Sequence, residues 1–103
     1  MEALNRKPDL SSILRSMTLP DGTKIDVINI TAAKQMQFEN NKSLSDNDKM
    51  VHLTAAKMLV NGRPIVYDDL LNGFTAEEFV EIIKLVNNVT DEDIKQGIAA
   101  KNA

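Results

Sequence analysis

The chain contains no cysteine and no tryptophan, and only 4% of its residues are aromatic. Without cysteine it forms no disulfide, zinc–thiolate site or thiol nucleophile. No apolar run approaches the roughly 20 residues of a membrane helix, and segment 1–12 lacks the apolar stretch of a signal peptide. We therefore expect a cytoplasmic protein without a membrane partner, whose core is built from aliphatic side chains and methionine.

Basic residues are also sparse and form no cluster, since 12 Lys and Arg stand against 15 Asp and Glu, for a net charge of −3. Nucleic acid requires a dense basic face, so it is not an expected partner. The acids concentrate in the C-terminal third of the chain. There they either attract a basic partner or form solvated helix faces.

Residues that carry chemistry are equally few. No GxGxxG, P-loop or GxSxG motif is present. His52 is the single histidine and is interpreted as a surface residue on a polar helix stripe. The adjacent acids Asp68 and Asp69 do not converge on one point in a strand or helix, so helix capping is the preferred interpretation of Asp68. We expect no enzymatic activity, no cofactor and no metal site.

The length predicts one small domain. We divide the chain into a flexible N-terminal tail over 1–12, a single α+β domain over 13–88 and a short C-terminal helix over 89–103. The domain begins with a predicted β-hairpin, because apolar residues alternate on both sides of a Pro20–Gly22 turn. The alternating residues are Ile13, Met17 and Leu19 before the turn, and Ile25 and Val27 after it.

Two helices are predicted to follow the hairpin. Thr31 is a suitable cap for the first, which ends near residue 40 or 41 with Met36 as its anchor in the core. Ser45 is a suitable cap for the second, which extends to residue 60, with Asp48 at its third position. This second helix is apolar around most of its circumference, which predicts a central position or a covering partner.

The segment from Asn61 to Gly73 is interpreted as a connection. Asn61-Gly62 ends the second helix with a left-handed residue, and Pro64 holds the preceding residue extended. Asp68 then caps a single helical turn that Gly73 closes.

The last long helix has the most specific local signal. Thr75 and Glu78 form a capping box, while Phe74 and Phe79 occupy the positions of a hydrophobic staple. The helix extends to about residue 88. The resulting fold class is α+β, an N-terminal β-hairpin packed against three to four α-helices, with mostly helical content.

Four apolar residues are candidates for partner binding, because the helix over 45–60 has more apolar surface than a small domain needs to cover. Methionines suit an adaptable groove, but they also fill gaps in a core with few aromatic rings. Binding of a partner protein or self-association is therefore the expected role of this surface. The candidates are Met36, Met50, Leu53 and Met58.

The segments MTLPDGTKIDVINIT and LTAAKMLVNGRPIVYDDLLNGFTAEEFVEIIKLV give the chain a family resemblance over residues 17–87. Their order resembles the small tail assembly chaperones of Mu-like and P2-like contractile-tailed bacteriophages. The matching elements are the hairpin turn at Leu19–Gly22, the small-residue helix before Val60, the Gly62–Ile65 segment and the turn from Asp69 to Glu78.

The resemblance implies a non-enzymatic protein that binds the helical tape measure protein before the tail tube polymerises, with helix-in-groove contact. It also implies a phage or prophage protein in the cytoplasm of an infected or lysogenic bacterial host. Two other interpretations are a structural tail or baseplate protein retained in the virion and a small intracellular protein-binding adaptor.

Overall fold

The computed structural model describes residues 4–89, in which four helices and a four-stranded antiparallel sheet form an α+β fold. The expected fold class and its mostly helical content are confirmed. Residues 4–12 contain no helix or strand. The predicted C-terminal helix lies beyond Val89, outside the described residues. The elements are β1 (Arg15–Thr18), β2 (Lys24–Val27), α1 (Ala32–Glu39), α2 (Asp46–Ala56), β3 (Met58–Val60), β4 (Arg63–Pro64), α3 (Tyr67–Asn72) and α4 (Ala76–Asn87).

The predicted hairpin is present as β1 and β2. The Leu19 N–H donates to the Thr23 carbonyl at 2.8 Å, and Gly22 adopts a φ of 93° in the turn between the strands. Such a conformation is accessible to glycine without steric cost. Ile13 departs from the prediction, because it precedes β1 and is 52% exposed.

The prediction that the second helix extends to residue 60 is wrong. Helix α2 ends at Ala56, and the next residues form β3, which pairs with β2 through Val27 opposite Met58 and Ile25 opposite Val60. Asn61 and Gly62 have φ values of 52° and 80° and connect β3 to β4. Two successive left-handed residues make the hairpin turn that matches strand twist. Asn61-Gly62 is therefore a hairpin turn rather than a helix stop.

One face of the sheet carries the core. Side chains alternate along each strand, so Ile25 and Val27 share a face with Met58, and all three are buried. Leu70 of α3 meets them from the helical layer. The buried cluster comprises Ile25, Val27, Val51, Ala55, Met58, Leu70, Ile82 and Val86.

The helix starts follow the sequence prediction at three of four positions. Thr31 and Ser45 cap α1 and α2 through their side chains, and the Thr75 capping box opens α4. The exception is α3, where the Val66 N–H donates to Asp69 Oδ2 at 3.0 Å. Asp68 is thus not the cap, because Asp69 stands at the third helical position and its carboxylate reaches back to the start of the helix.

Helix α1 is held differently from the prediction. Met36 is 56% exposed, and α1 contains no buried residue. Phe38, which is half-buried, provides the main side-chain contact through a ring on α2. Met36 is therefore not the anchor of this helix, because the turn of α1 that faces α2 presents Phe38 instead.

Arg15 on β1 joins the sheet to the C-terminal end of α4. Its Nε donates to the Leu85 carbonyl at 2.8 Å, and its Nη2 donates to the Val86 carbonyl at 2.9 Å. Carbonyls in the last turn of a helix lack intrahelical partners and carry partial negative charge. The helix then stops at Asn88, whose φ is 52°. The guanidinium therefore binds the C-terminal end of a helix at Leu85, which is 70 residues away along the chain.

Replacing Arg15 tests this joint. We expect Arg15→Met to lower the free energy of unfolding by about 1–2 kcal/mol, because two helix-terminal carbonyls lose a charged donor. Arg15→Lys should lose less, since an ammonium retains the charge without the two-pronged geometry. Urea denaturation measures both, with Arg6→Met in the exposed tail as the control. Equal stability of the Arg15→Met and Arg6→Met variants would contradict the prediction.

Candidate functional site

A broad groove among the described residues, here called the acidic groove, has a volume of about 740 Å³. It lies where the β1–β2 turn, the β3–β4 hairpin, α3 and the start of α4 meet. Its apolar lining residues are buried or half-buried except for the exposed Pro64, while most of its charged residues are exposed. The apolar set is Leu19, Val60, Pro64, Ile65 and Phe74, and the charged set is Asp21, Arg63, Asp68, Asp69 and Glu78.

Backbone donors fix most of the carboxylates around this groove. Asp21 accepts the Thr23 N–H at 2.9 Å, and this hydrogen bond lowers the pKa of Asp21 below its ordinary value. Glu78 accepts the Thr75 N–H at 2.9 Å. Asp69 accepts the Val66 N–H at the start of α3. The carboxylates lining the groove therefore outnumber its single guanidinium, that of Arg63.

The sequence patterns did not lead us to predict the acidic groove. Its residues come from the segment interpreted as a connection between helices, and from a hairpin turn remote from it in the chain. The available signal was Asn61-Gly62 between apolar residues, which is a strong short-range indicator of a hairpin. A hairpin there places Val60 and Arg63 directly opposite each other in the sheet.

A second feature is a stack of three rings that joins α1, α2 and α3. The His52 ring lies 5.1 Å from the Phe38 ring and 4.5 Å from the Tyr67 ring, measured between centroids. All three side chains are half-buried. His52, which was interpreted as a surface residue on a polar stripe, is therefore only partly accessible, because α1 and α3 close over it from both sides.

Tyr67 also binds the first turn of α2. Its hydroxyl donates to Asp48 Oδ1 at 2.7 Å. This hydrogen bond lowers the pKa of the Asp48 carboxyl, with a smaller contribution from Ser45, and it raises the pKa of the Tyr67 hydroxyl. The pair therefore favours a carboxylate and a neutral phenol at physiological pH.

Met50 and Leu53 lie together in a smaller groove of about 500 Å³, here called the helix groove. It is bordered by Gln35 and Glu39 of α1 and by Asn87 of α4. Both apolar side chains are half-buried. Two of the four residues predicted to bind a partner thus share one accessible surface.

The other two predicted residues are elsewhere. Met36 is exposed on α1 and does not line the helix groove. Met58 was placed on a helix, but it lies in β3 and is 1% exposed. Pairing with β2 turns Met58 into the core, so its side chain offers no surface to a partner.

Over residues 4–89, no group of three or more His, Asp or Glu side chains is arranged to hold a metal ion. Within the same range no helix has the length and apolarity to cross a membrane. Most acids of the acidic groove accept hydrogen bonds at turns or helix starts. Together with the apolar lining, they form a surface suited to a chain segment that has an apolar stripe and basic flanks.

The Tyr67–Asp48 hydrogen bond makes stability depend on pH on the acid side. Because the pKa of Asp48 is lowered in the folded state, its contribution is fully present above the ordinary aspartate pKa and is lost as pH falls through the lowered value. We expect Tyr67→Phe, which keeps the ring stack, to raise the Asp48 pKa and to weaken this dependence. Carboxyl titration by NMR and unfolding between about pH 2 and 6 measure both effects.

The matched control is Asp48→Asn, which keeps an oxygen acceptor for the Tyr67 hydroxyl but does not titrate. Adding Tyr67→Phe to Asp48→Asn should leave the shape of the pH dependence unchanged. An Asp48 pKa that does not move in the Tyr67→Phe variant would show that the hydroxyl is not the cause.

Comparison of the chain with protein-family models, with curated proteins and with solved structures gave no match. The observations that bear on function are the two grooves, the charges around them and the sequence motifs that resemble tail assembly chaperones.

Proposed function

We propose that the chain is a non-enzymatic tail assembly chaperone of a contractile-tailed phage or prophage. In this role it binds the tape measure protein in the host cytoplasm before the tail tube polymerises. Two lines of support meet in the same residues. The motifs that resemble this family include the segments Gly62–Ile65 and Asp69–Glu78, and these segments line much of the acidic groove.

The acidic groove is the observation that carries the proposal. An α-helix with its side chains is about 10 Å wide, and a groove of about 740 Å³ accommodates one side of such a helix. Leu19, Ile65 and Phe74 provide apolar contact for its stripe. The carboxylates attract lysine and arginine beside that stripe and discriminate against acidic segments.

This arrangement suits temporary protection of a long helical protein. Covering an apolar stripe removes the surface through which unassembled chains aggregate. An open groove on a chain of 103 residues covers only a short segment, so several copies are needed along a long partner. Small contact areas are typical of transient complexes, which permits release when the tube subunits assemble.

Charge reversal at one matched pair of positions tests the groove. Asp68 and Glu77 are both exposed acids at the second position of a helix, but only Asp68 lines the acidic groove. We expect Asp68→Lys to weaken binding of a co-expressed tape measure fragment about tenfold, by repulsion of basic side chains. Glu77→Lys also places a positive charge at a helix start and should lower stability to a similar extent. This variant should nevertheless bind the fragment like the unaltered chain. Isothermal titration calorimetry measures both.

The helix groove is tested in parallel with Met50→Asp and Leu53→Asp. If these folded variants lose binding while Asp68→Lys retains it, the partner lies in the helix groove and the acidic groove is not the site. If the unaltered chain does not bind the tape measure protein, the proposed function is wrong. If this chain is present at a stoichiometric level in purified virions, as measured by mass spectrometry, the interpretation as a structural tail or baseplate protein is favoured.

A further inference from the structure

We propose that the outer edge of β1 pairs antiparallel with β1 of a second copy of this chain, so that the two four-stranded sheets become one continuous sheet. The inference concerns a surface that the proposed function does not use. The acidic groove is lined by residues of β3, β4, the helices that follow and the β1–β2 turn, but not by Ser16 or Thr18, whose backbone groups form this edge.

The hydrogen-bond register shows which groups of β1 are available. Met17 lies opposite Ile25 and Arg15 opposite Val27, in phase with the Leu19–Thr23 hydrogen bond at the turn. In an antiparallel ladder, alternate residues direct both backbone groups toward the same neighbour. The N–H and C=O groups of Ser16 and Thr18 therefore point away from β2, and no described strand pairs with them.

The two edges of the sheet differ in how they are protected. The β4 edge has two residues, one of which is Pro64, and proline blocks pairing at an edge. The β1 edge has four residues and no proline. Its outward-directed groups belong to Ser16 and Thr18, which are small and exposed. Neither position carries a charged residue that would keep a partner strand away.

The open groups of β1 are complementary to themselves. If a two-fold axis passes beside Met17, Ser16 of each copy lies opposite Thr18 of the other. Each such pair then exchanges two hydrogen bonds. On the outer face of the sheet, the two hydroxyl side chains of each pair become neighbours. An isologous contact of this kind uses the same patch on both copies and closes as a dimer.

The adjoining helix favours a second copy over an unrelated strand. Helix α4 packs over β1, and a groove of about 490 Å³ separates them, lined by Met17 and Leu85 together with Glu81 and Lys84. Glu81 Oε1 lies 2.9 Å from Lys84 Nζ. Because Met17 also lines this groove, a two-fold axis beside Met17 brings the grooves of the two copies together, each with the acid Glu81 and the base Lys84. The charges therefore complement themselves across the axis.

A single-thiol crosslink tests the register directly. The chain has no cysteine, so Met17→Cys introduces one thiol per copy at the two-fold axis. Non-hydrogen-bonded antiparallel pairs have Cα atoms about 4.5 Å apart, which is within disulfide range. We expect Met17→Cys to form a disulfide dimer under mild oxidation, and the exposed control Met36→Cys to remain largely monomeric. Equal crosslinking of both variants, or none at position 17, would overturn the proposal.

Sedimentation equilibrium of the full chain tests the edge without a crosslink. Thr18→Pro removes an outward N–H that β2 does not use and should weaken dimerisation at least about tenfold. Thr18→Val keeps the N–H and should dimerise like the unaltered chain. A chain that is monomeric at about 100 μM, or a dimer unaffected by Thr18→Pro, would refute the pairing. The chain could also be a monomer in which the Ser16 and Thr18 amides become protected from hydrogen exchange only when an extended segment of another protein binds. That result would show that the edge binds this other protein instead.

Charge exchange at α4 separates this dimer from other modes of association. Glu81→Lys places like charges across the two-fold axis and should weaken dimerisation about tenfold. The double variant Glu81→Lys with Lys84→Glu restores opposite charges at both contacts and should recover the dimer. Failure of the double variant to recover would show that the two α4 helices do not face each other. Binding of a short tape measure fragment that fills a single groove should be unchanged throughout, so loss of the dimer and loss of the proposed function are measured separately.

Discussion

The pairing of β3 with β2 is the constraint on which the rest of the structure depends. Strand β3 has three residues and begins two residues after α2 ends. Its middle residue, Leu59, lies opposite Asp26 of β2. This pairing makes α1 and α2 a crossover between two antiparallel strands and turns Met58 into the core. It also brings the β3–β4 hairpin beside the β1–β2 turn, which creates the acidic groove. Without it, the chain would have a two-stranded hairpin, which is marginally stable by itself.

Polar contacts and ring stacking join the helices to the sheet and to one another, in addition to the aliphatic core. Arg15 binds the end of α4, and the stack around His52 joins the three other helices. Thr54 is completely buried in α2, and its hydroxyl accepts a hydrogen bond from the Asn87 amide of α4 at 3.4 Å. Polar groups of this kind fix the relative position of elements, because a buried hydroxyl without a partner is costly. A domain with few aromatic residues thus obtains specificity from hydrogen bonds and ring stacking.

The two proposed surfaces use different residues, and this separation has a functional consequence. A dimer through β1 leaves both acidic grooves accessible, since neither Ser16 nor Thr18 lines the groove. Two grooves on one dimer can bind two segments of the same long partner. The second binding event is then intramolecular, so overall affinity rises without new contacts at either groove. Such a dimer would retain a helical protein more strongly than the small individual grooves suggest.

The sequence by itself determined the local features: the Pro20–Gly22 turn, the caps at Thr31 and Ser45, and the Thr75–Glu78 capping box. Each depends on hydrogen bonds within a few residues, so neighbouring residue types are sufficient to predict it. It also placed Met50 and Leu53 on the second helix, where the structure has them. The extension of the second helix to residue 60 and the anchor role of Met36 were wrong, because each depends on a remote element. Only tertiary structure decided that residues 58–60 form a strand, since their backbone groups are satisfied equally well by a helix until β2 provides a partner.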